Sequence, residues 1–238
     1  MNDGALFETL RGVTAATITT VLLKKGLRNV WMRGPTPLAP GQPRIAGRAF
    51  TLRFVPARED LATPESWASP RSTRAAIEEM PEGAIAVADV MSIKDAGIFG
   101  DILCARMVKR NVAGLITDGA VRDSAGVIAT GLPVWAAGVA APPSVAGLTF
   151  TGWQEPIGCG GVAVLPNDVI VADTDGAVVI PAALAEEVAK LAPDQERFEA
   201  WLLSEVGHGV RLPGLYPPDA ETCARYEASR QPPESDRT

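Results

Sequence analysis

The segment Gly97–Asp123, GIFGDILCARMVKRNVAGLITDGAVRD, concentrates side chains that can do chemistry. Asp101 follows Gly100, and Arg122 stands beside Asp123 after a second apolar run. Carboxylates offer the hard oxygen that Mg²⁺ or Mn²⁺ prefers. An arginine offers a planar fork that takes a carboxylate bidentately. If Gly100 ends a strand and Asp101 opens a helix, the first N–H groups of that helix are free donors suited to a carboxylate or phosphate. Each feature also has a plainer role. Gly100 turns the chain and Asp101 caps a helix. Arg122 is a solvated cation and Asp123 a second N-cap, while Asp118-Gly119 makes a tight turn after a strand. The pair of turns carries more weight than either alone. Neighbouring parallel strands release their C-terminal ends on one edge, which is where open α/β sheets place ligands.

The elements that would hold these residues follow from periodicity. Ala5 to Lys25 reads as a helix with Ile18, Val21 and Leu22 on one face, stopped by Gly26. GPTPLAPGQPRIAG reads as an irregular loop. Gly47–Val55 alternates as a half-buried strand does, and PAREDLATPESWASPRS as a surface loop. Ala84–Val90 is short and apolar throughout, the pattern of a strand buried on both faces. Phe99 to Arg110 places Phe99, Ile102, Leu103 and Met107 at helical spacing. Ala113–Ile116 is a further strand, Val121–Thr130 a helix closed by Gly131, and Pro133–Val139 another strand. This rhythm predicts a parallel α/β core with right-handed crossovers. Gly160 to Pro181 then reads as antiparallel hairpins, and Ala182 to about Val206 as a long helix. The expected organisation is one α/β domain over 1–206 and a Pro-rich tail over 207–238. The final stretch of that tail, SRQPPESDRT, is expected to be disordered.

Composition narrows the functional classes. A chain of 238 residues with 47% hydrophobic content can bury a substantial core. Its 22 basic and 28 acidic residues give a net charge of −6, without the basic surplus that phosphate-backbone binding requires. Cys104, Cys159 and Cys223 are scattered without CxxC spacing, which fits a reducing cytosol and not a disulfide framework or zinc knuckle. MNDGALFETL lacks the layout of a signal peptide, and no apolar run reaches membrane-spanning length. A cytoplasmic protein with neither nucleic-acid nor membrane partners is expected.

The spacing Gly97-x3-Asp101-x20-Arg122-Asp123 resembles the signature of the class II 4-hydroxy-4-methyl-2-oxoglutarate/4-carboxy-4-hydroxy-2-oxoadipate aldolases. Those enzymes share a fold with the RraA-like regulators of ribonuclease E. IAGRAFTLRF, PEGAIAVADV, GLPVWAAG and GGVAVLPNDVIVADTDGAVVIP resemble further blocks in family order, so the likeness runs from about Val13 to Tyr216. It implies an α/β/β/α sandwich with a swivelling-domain-like core, built of parallel strand-helix-strand units plus antiparallel hairpins. It also implies a homotrimer or pair of trimers with active sites at subunit interfaces. Asp123 would hold the divalent metal, Mg²⁺ or Mn²⁺, and Asp101 the waters around it. Arg122 would bind the 2-keto acid, and the turn of Gly100, Asp101, Ile102 and Leu103 the pyruvate carboxylate. A Glu from a neighbour's C-terminal helix would complete the site, with Glu199 and Glu196 as matches. The implied activity is cleavage of a 4-hydroxy-2-oxo acid to pyruvate and a second carbonyl product, with oxaloacetate decarboxylation as a side reaction. The alternative activity is that of a non-catalytic ring binding a ribonuclease. Three departures stand out. Asn167 replaces the usual Gly in Pro166-Asn167-Asp168, TITTVLLKKG lacks an Asp often found there, and the insert AREDLATPESWASPRSTR is free to reshape the substrate pocket.

Other chemistry finds little support. Lys94 could form a Schiff base, but neither Ser92 nor Asp95 beside it is a second cation that would activate it as a nucleophile. His208 is the single histidine, which excludes multi-His zinc sites. Cys104 reads as a small core residue, and Cys159 lacks a nearby base. Phe198 and Trp201 read as packing or subunit contacts. Neither GxGxxG nor GxxxxGK[ST] occurs, and IGCGGV precedes strands instead of a helix.

Overall fold

The computed structural model describes residues 1–230. The chain opens with α1 (Asp3–Arg11) and α2 (Ala15–Lys24), followed by β1 (Thr36–Pro37) and β2 (Ile45–Pro56). The central part comprises α3 (Thr73–Glu79), β3 (Ile85–Asp89), α4 (Asp101–Lys109), β4 (Gly114–Val121), α5 (Ser124–Ala129) and β5 (Val134–Val139). It continues through β6 (Leu148–Trp153), β7 (Val169–Asp173) and β8 (Gly176–Ile180) to α6 (Ala185–Gly207), the short α7 (Leu212–Leu215) and α8 (Ala220–Ser229).

The eight strands are ordered β1-β5-β4-β3-β2-β7-β8, with β6 also paired to β2. The run β2-β3-β4-β5 is parallel, and β1, β6, β7 and β8 add antiparallel pairs. Strand β2 serves two sheets. Ile45–Arg48 pair with β7, while Ala49–Arg53 pair with β3. At the far edge Trp31 bridges to Val178 of β8 just before the chain enters β1, so the mixed sheet nearly closes on itself.

Side-chain alternation then builds three apolar layers, because successive residues of a strand face opposite sides. Ala84, Ala86 and Ala88 pack on the side of α3 and α4, with Phe50, Phe99, Cys104 and Met107. Ile85 and Val87 face inward between the sheets, with Ile116, Trp135, Ile170 and Val179. Val169, Val171, Val178 and Ile180 pack on α1, α2 and α6. The order helix layer, sheet, sheet, helix layer is the expected α/β/β/α sandwich. Alanines on one face of β3 let helices approach closely, while β-branched residues fill the space between the sheets.

Several elements differ from the sequence expectations. The first helix is two, bent by 108° between α1 and α2, because Thr14 caps a fresh helix through Thr17 N. Strand β2 is buried along most of its length, not half-buried, because it has neighbours on both edges. The segments expected to be loops contain β1 and a 3₁₀ turn at Pro64–Ala68, and the second ends in Ser72, the N-cap of α3, which accepts from Ala75 N. In α4 the buried positions are Cys104 and Met107, and Ile102 is 80% exposed instead of facing the core. The tail also contains α8, whose Tyr226 packs on Phe198 and Trp201 at ring distances of 4.7 and 5.4 Å. Of the stretch expected to be disordered, 229–238, Ser229 ends α8 and Arg230 is its C-cap, and 231–238 lie outside the described residues. No single helix among the described residues is long and apolar enough to cross a membrane.

Asp118-Gly119 is not a turn. It forms a bulge inside β4, where the register shifts between Thr117 and Ala120. Asp118 is 2% exposed, and its carboxylate accepts from Val90 N at 2.9 Å, Ser92 N at 3.0 Å and Gly160 N at 3.3 Å. It ties the loops after β3 and β6 to β4. Asp118→Ala leaves these donors buried without an acceptor and is expected to destabilise the chain by more than about 3 kcal/mol, against less than about 0.5 kcal/mol for the exposed Asp95→Ala. Urea unfolding of the two variants checks this. The cysteines yield a second test. Burial, aided by the nearby Asp101 charge, pushes the Cys104 thiol up to about 12, and full burial raises Cys159 well above its usual value. At pH 8 Cys104 therefore stays overwhelmingly the unreactive thiol. Titration of the native chain with a disulfide reagent is expected to count one fast thiol, the exposed Cys223, and three after unfolding. Two or more fast thiols in the native chain would contradict the burial.

Candidate active site

The two turns emerge side by side because the β4 ladder continues beyond the strand ends. Ile98 N donates to Ala120 O at 3.0 Å, and Arg122 N donates to Phe99 O at 2.9 Å. These bonds place the start of α4 beside the start of α5. Glycines then let the acids of one turn sit on the other. A Cβ on Gly100 would lie 2.8 Å from Asp123 Oδ2, and one on Gly126 would lie 2.9 Å from Asp101 Oδ2.

Asp123 occupies the N-cap position of α5 without capping it. Its backbone is left-handed, with φ 53° and ψ 43°, and its carboxylate makes no bond to the helix amides. That conformation costs a non-glycine residue about 1 kcal/mol or more. It turns the carboxylate toward Arg122, whose Nε donates to Oδ2 at 3.0 Å. Asp101 is the first residue of α4, with Gly100 as N-cap. Its Oδ1 accepts from Ile102 N at 2.7 Å. That bond alters one expectation. The Ile102 amide is already engaged, whereas the N–H groups of Asp101 and Leu103 find no acceptor among the described residues.

Asp101, Ile102, Leu103, Gly100, Arg122 and Asp123 line one cleft of about 270 Å³. That is smaller than the roughly 300–1,000 Å³ of sites for drug-sized ligands and suits a small metabolite. Asp101 Oδ2 and Asp123 Oδ1 have no donor among the described residues, so each offers an oxygen to a cation. No cluster of three or more His, Cys, Asp or Glu occurs among the described residues. The donor set therefore suits an ion that keeps several waters, as Mg²⁺ does, and not the closed cage of structural zinc.

Glu196 and Glu199 do not line this cleft. Within the chain both turn to α2. Glu196 Oε2 accepts from Thr14 N at 3.2 Å and Thr14 Oγ1 at 3.0 Å, and Glu199 accepts from Thr17 Oγ1 at 3.1 Å. An acid at a helix N-terminus is favoured by the helix dipole. His208 is exposed at the end of α6, 3.9 Å from Glu205, and Lys94 is exposed. Trp67, Thr73 and Arg74 of the insert also line the cleft, with Pro143 and Ser144 after β5. The insert was expected to shape the pocket, but no periodicity singles these residues out.

A model of the RraA-like family, described as Aldolase/RraA, matches residues 14–179. Protein DlpA of Legionella pneumophila is 30% identical over 152 residues, which cover 64% of this chain and 24% of DlpA. A Halalkalibacterium halodurans protein named "Putative 4-hydroxy-4-methyl-2-oxoglutarate aldolase" is 32% identical over 124 residues, covering 51% of this chain and 57% of that protein. The chain thus spans less than two thirds of either relative. Among solved structures, Streptomyces coelicolor RraAS2 is described as an unusual member of the RNase ES inhibitor RraA protein family. It superposes with a TM-score of 0.75 at 35% identity, covering 84% of this chain and 96% of that one. An uncharacterised protein from Pseudomonas syringae pv. tomato shares the fold, with a TM-score of 0.79 at 23% identity and coverage of 90% and 94%. With its sandwich, its paired turns and this match over most of its length, the chain belongs to the RraA-like family.

Proposed function

We propose that the chain is a divalent-metal-dependent lyase that cleaves a 4-hydroxy-2-oxo acid to pyruvate and a second carbonyl product. The observation that carries this reading is the convergence of Asp101, Arg122 and Asp123 on one small cleft at the start of α4. The names of relatives such as the Halalkalibacterium protein support the same reaction class. Asp123 would hold Mg²⁺ or Mn²⁺, and Asp101 the waters around it. When bound, the cation supplies Lewis-acid polarisation of the 2-oxo group.

The chain's own residues account for the rest. The open N–H groups of Asp101 and Leu103, at the positive end of α4, receive the substrate's C1 carboxylate. Arg122, steadied by Asp123, orients the 2-oxo group with its terminal nitrogens. Asp101 accepts the C4-hydroxyl proton, directly or through a water. The C3–C4 bond then breaks, C4 becomes the carbonyl of the leaving product, and the electron pair forms the enolate of pyruvate. Arg122 stabilises that negative charge as it develops. Protonation at C3 completes pyruvate. Loss of CO₂ from oxaloacetate passes through the same enolate and is the expected side activity. The active oligomer is a homotrimer or pair of trimers in the cytoplasm, in which a neighbour's Glu199 or Glu196 would close the cleft.

A second reading is a non-catalytic ring that binds a ribonuclease, favoured by the 35% identity to RraAS2. Pyruvate release separates the two. With a 4-hydroxy-2-oxo acid or oxaloacetate, wild type is expected to release pyruvate only when Mg²⁺ or Mn²⁺ is present. Asp123→Ala is expected to fall to background, and Arg122→Ala by about 10²–10³-fold in kcat, both with wild-type circular dichroism. Full turnover by Asp123→Ala in saturating metal would end the lyase assignment. A wild type silent on all these substrates would favour the ring.

A further inference from the structure

The substrate-facing end of the cleft carries a cation that the lyase chemistry does not use. Arg74 is the second residue of α3 and lines the cleft with Trp67, Thr73, Asp101 and Arg122. Its guanidinium lies over the Trp67 ring, with Cζ 4.9 Å from the ring centre. Such a cation–π contact fixes the plane of the fork without using its N–H donors.

The neighbouring charges have other partners. Glu78 forks onto Arg106 at 2.7 and 2.8 Å and also reaches Arg110. Glu79 accepts from Trp153 Nε1 at 3.0 Å. Arg71 is paired with Glu155, and Arg122 with Asp123. Arg74 has no carboxylate or carbonyl partner among the described residues. Partial burial draws its pKa down from the usual value, yet an arginine stays charged. An oriented, partly desolvated fork without a counter-ion is a receptor for one.

We propose that Arg74, held by Trp67, is a specificity-determining residue that receives a second carboxylate at the far end of the bound 2-oxo acid. This role rests on the 2-oxo acid reading of the same cleft. The keto end is held by the α4 amides and Arg122, and the distal end by the insert. A monocarboxylate would leave Arg74 without a partner.

Isothermal titration of the whole chain with 2-oxoglutarate and with 2-oxobutyrate, in magnesium-containing buffer, tests this. Wild type is expected to bind the dicarboxylate about 10- to 100-fold more tightly. R74A is expected to bring the ratio of the two affinities close to one. R74K should fall between, because an ammonium keeps the charge and loses the fork. A wild-type ratio near one overturns the role of Arg74, and so does a ratio that survives in R74A. If wild type binds neither acid, the 2-oxo acid reading itself fails and the role of Arg74 falls with it.

Discussion

The bond from Arg122 N to Phe99 O, 2.9 Å, is the constraint on which the cleft depends. It extends a parallel ladder past the end of β4 and ties two strand-to-helix turns together at the backbone. Backbone bonds of this kind leave little freedom to slide, since a slip of one residue would reverse every side chain. The start of α4 and the start of α5 are thus held at one spacing, and Asp101 and Asp123 interlock over Gly126 and Gly100. Much of the remaining structure serves to keep that ladder in place. Asp118 pins the bulge in β4 three residues before Val121, and Asp89 receives Gly158 N at 3.0 Å, so the loop after β6 is anchored to both neighbouring strands.

Charge is distributed to match. The site acids keep one oxygen each without a donor among the described residues. Asp123 forgoes the cap bond that its position invites, and Asp101 takes one amide and leaves one oxygen free. By contrast Asp118 and Asp168 are nearly buried and fully engaged. Asp168 accepts from Leu165 N and Ala182 N. A carboxylate surrounded by amides is structural and a carboxylate short of them is available, even when both stand at similar turns in the sequence.

Much of the fold was legible in the chain because its signals are local. AIAVADV has the length and apolarity of a buried strand, and the strand–helix rhythm around it fixes a parallel sheet. Asp101, Arg122 and Asp123 were legible for the same reason, since each stands at the end of a periodic segment. What was not legible depended on contacts remote in sequence. The bulge at Asp118-Gly119 resembles a turn in sequence, and only the amides of Val90, Ser92 and Gly160 make it part of a strand. The break between α1 and α2 rests on one threonine that could equally sit inside a helix. The insert offered prolines and charges, and the short helix that opens at its end, α3, is held on the core by burial of Ala76 and Ile77.

That contrast has a consequence for how the site is divided. On the proposed reading, the keto end is built from backbone ladders and helix starts, whose backbone bonds are shared with the sheet. The distal end is built from an insert whose hold on the cleft is by side chains, Trp67 on Arg74 and Ser72 on its own helix. Side-chain contacts can be exchanged without moving β3 or β4. On that reading, a single sandwich can keep one keto-acid site and vary the molecule offered to it. On the same reading, the identity of the residue at position 74 carries more information about substrate than the identity of any residue between Gly97 and Asp123.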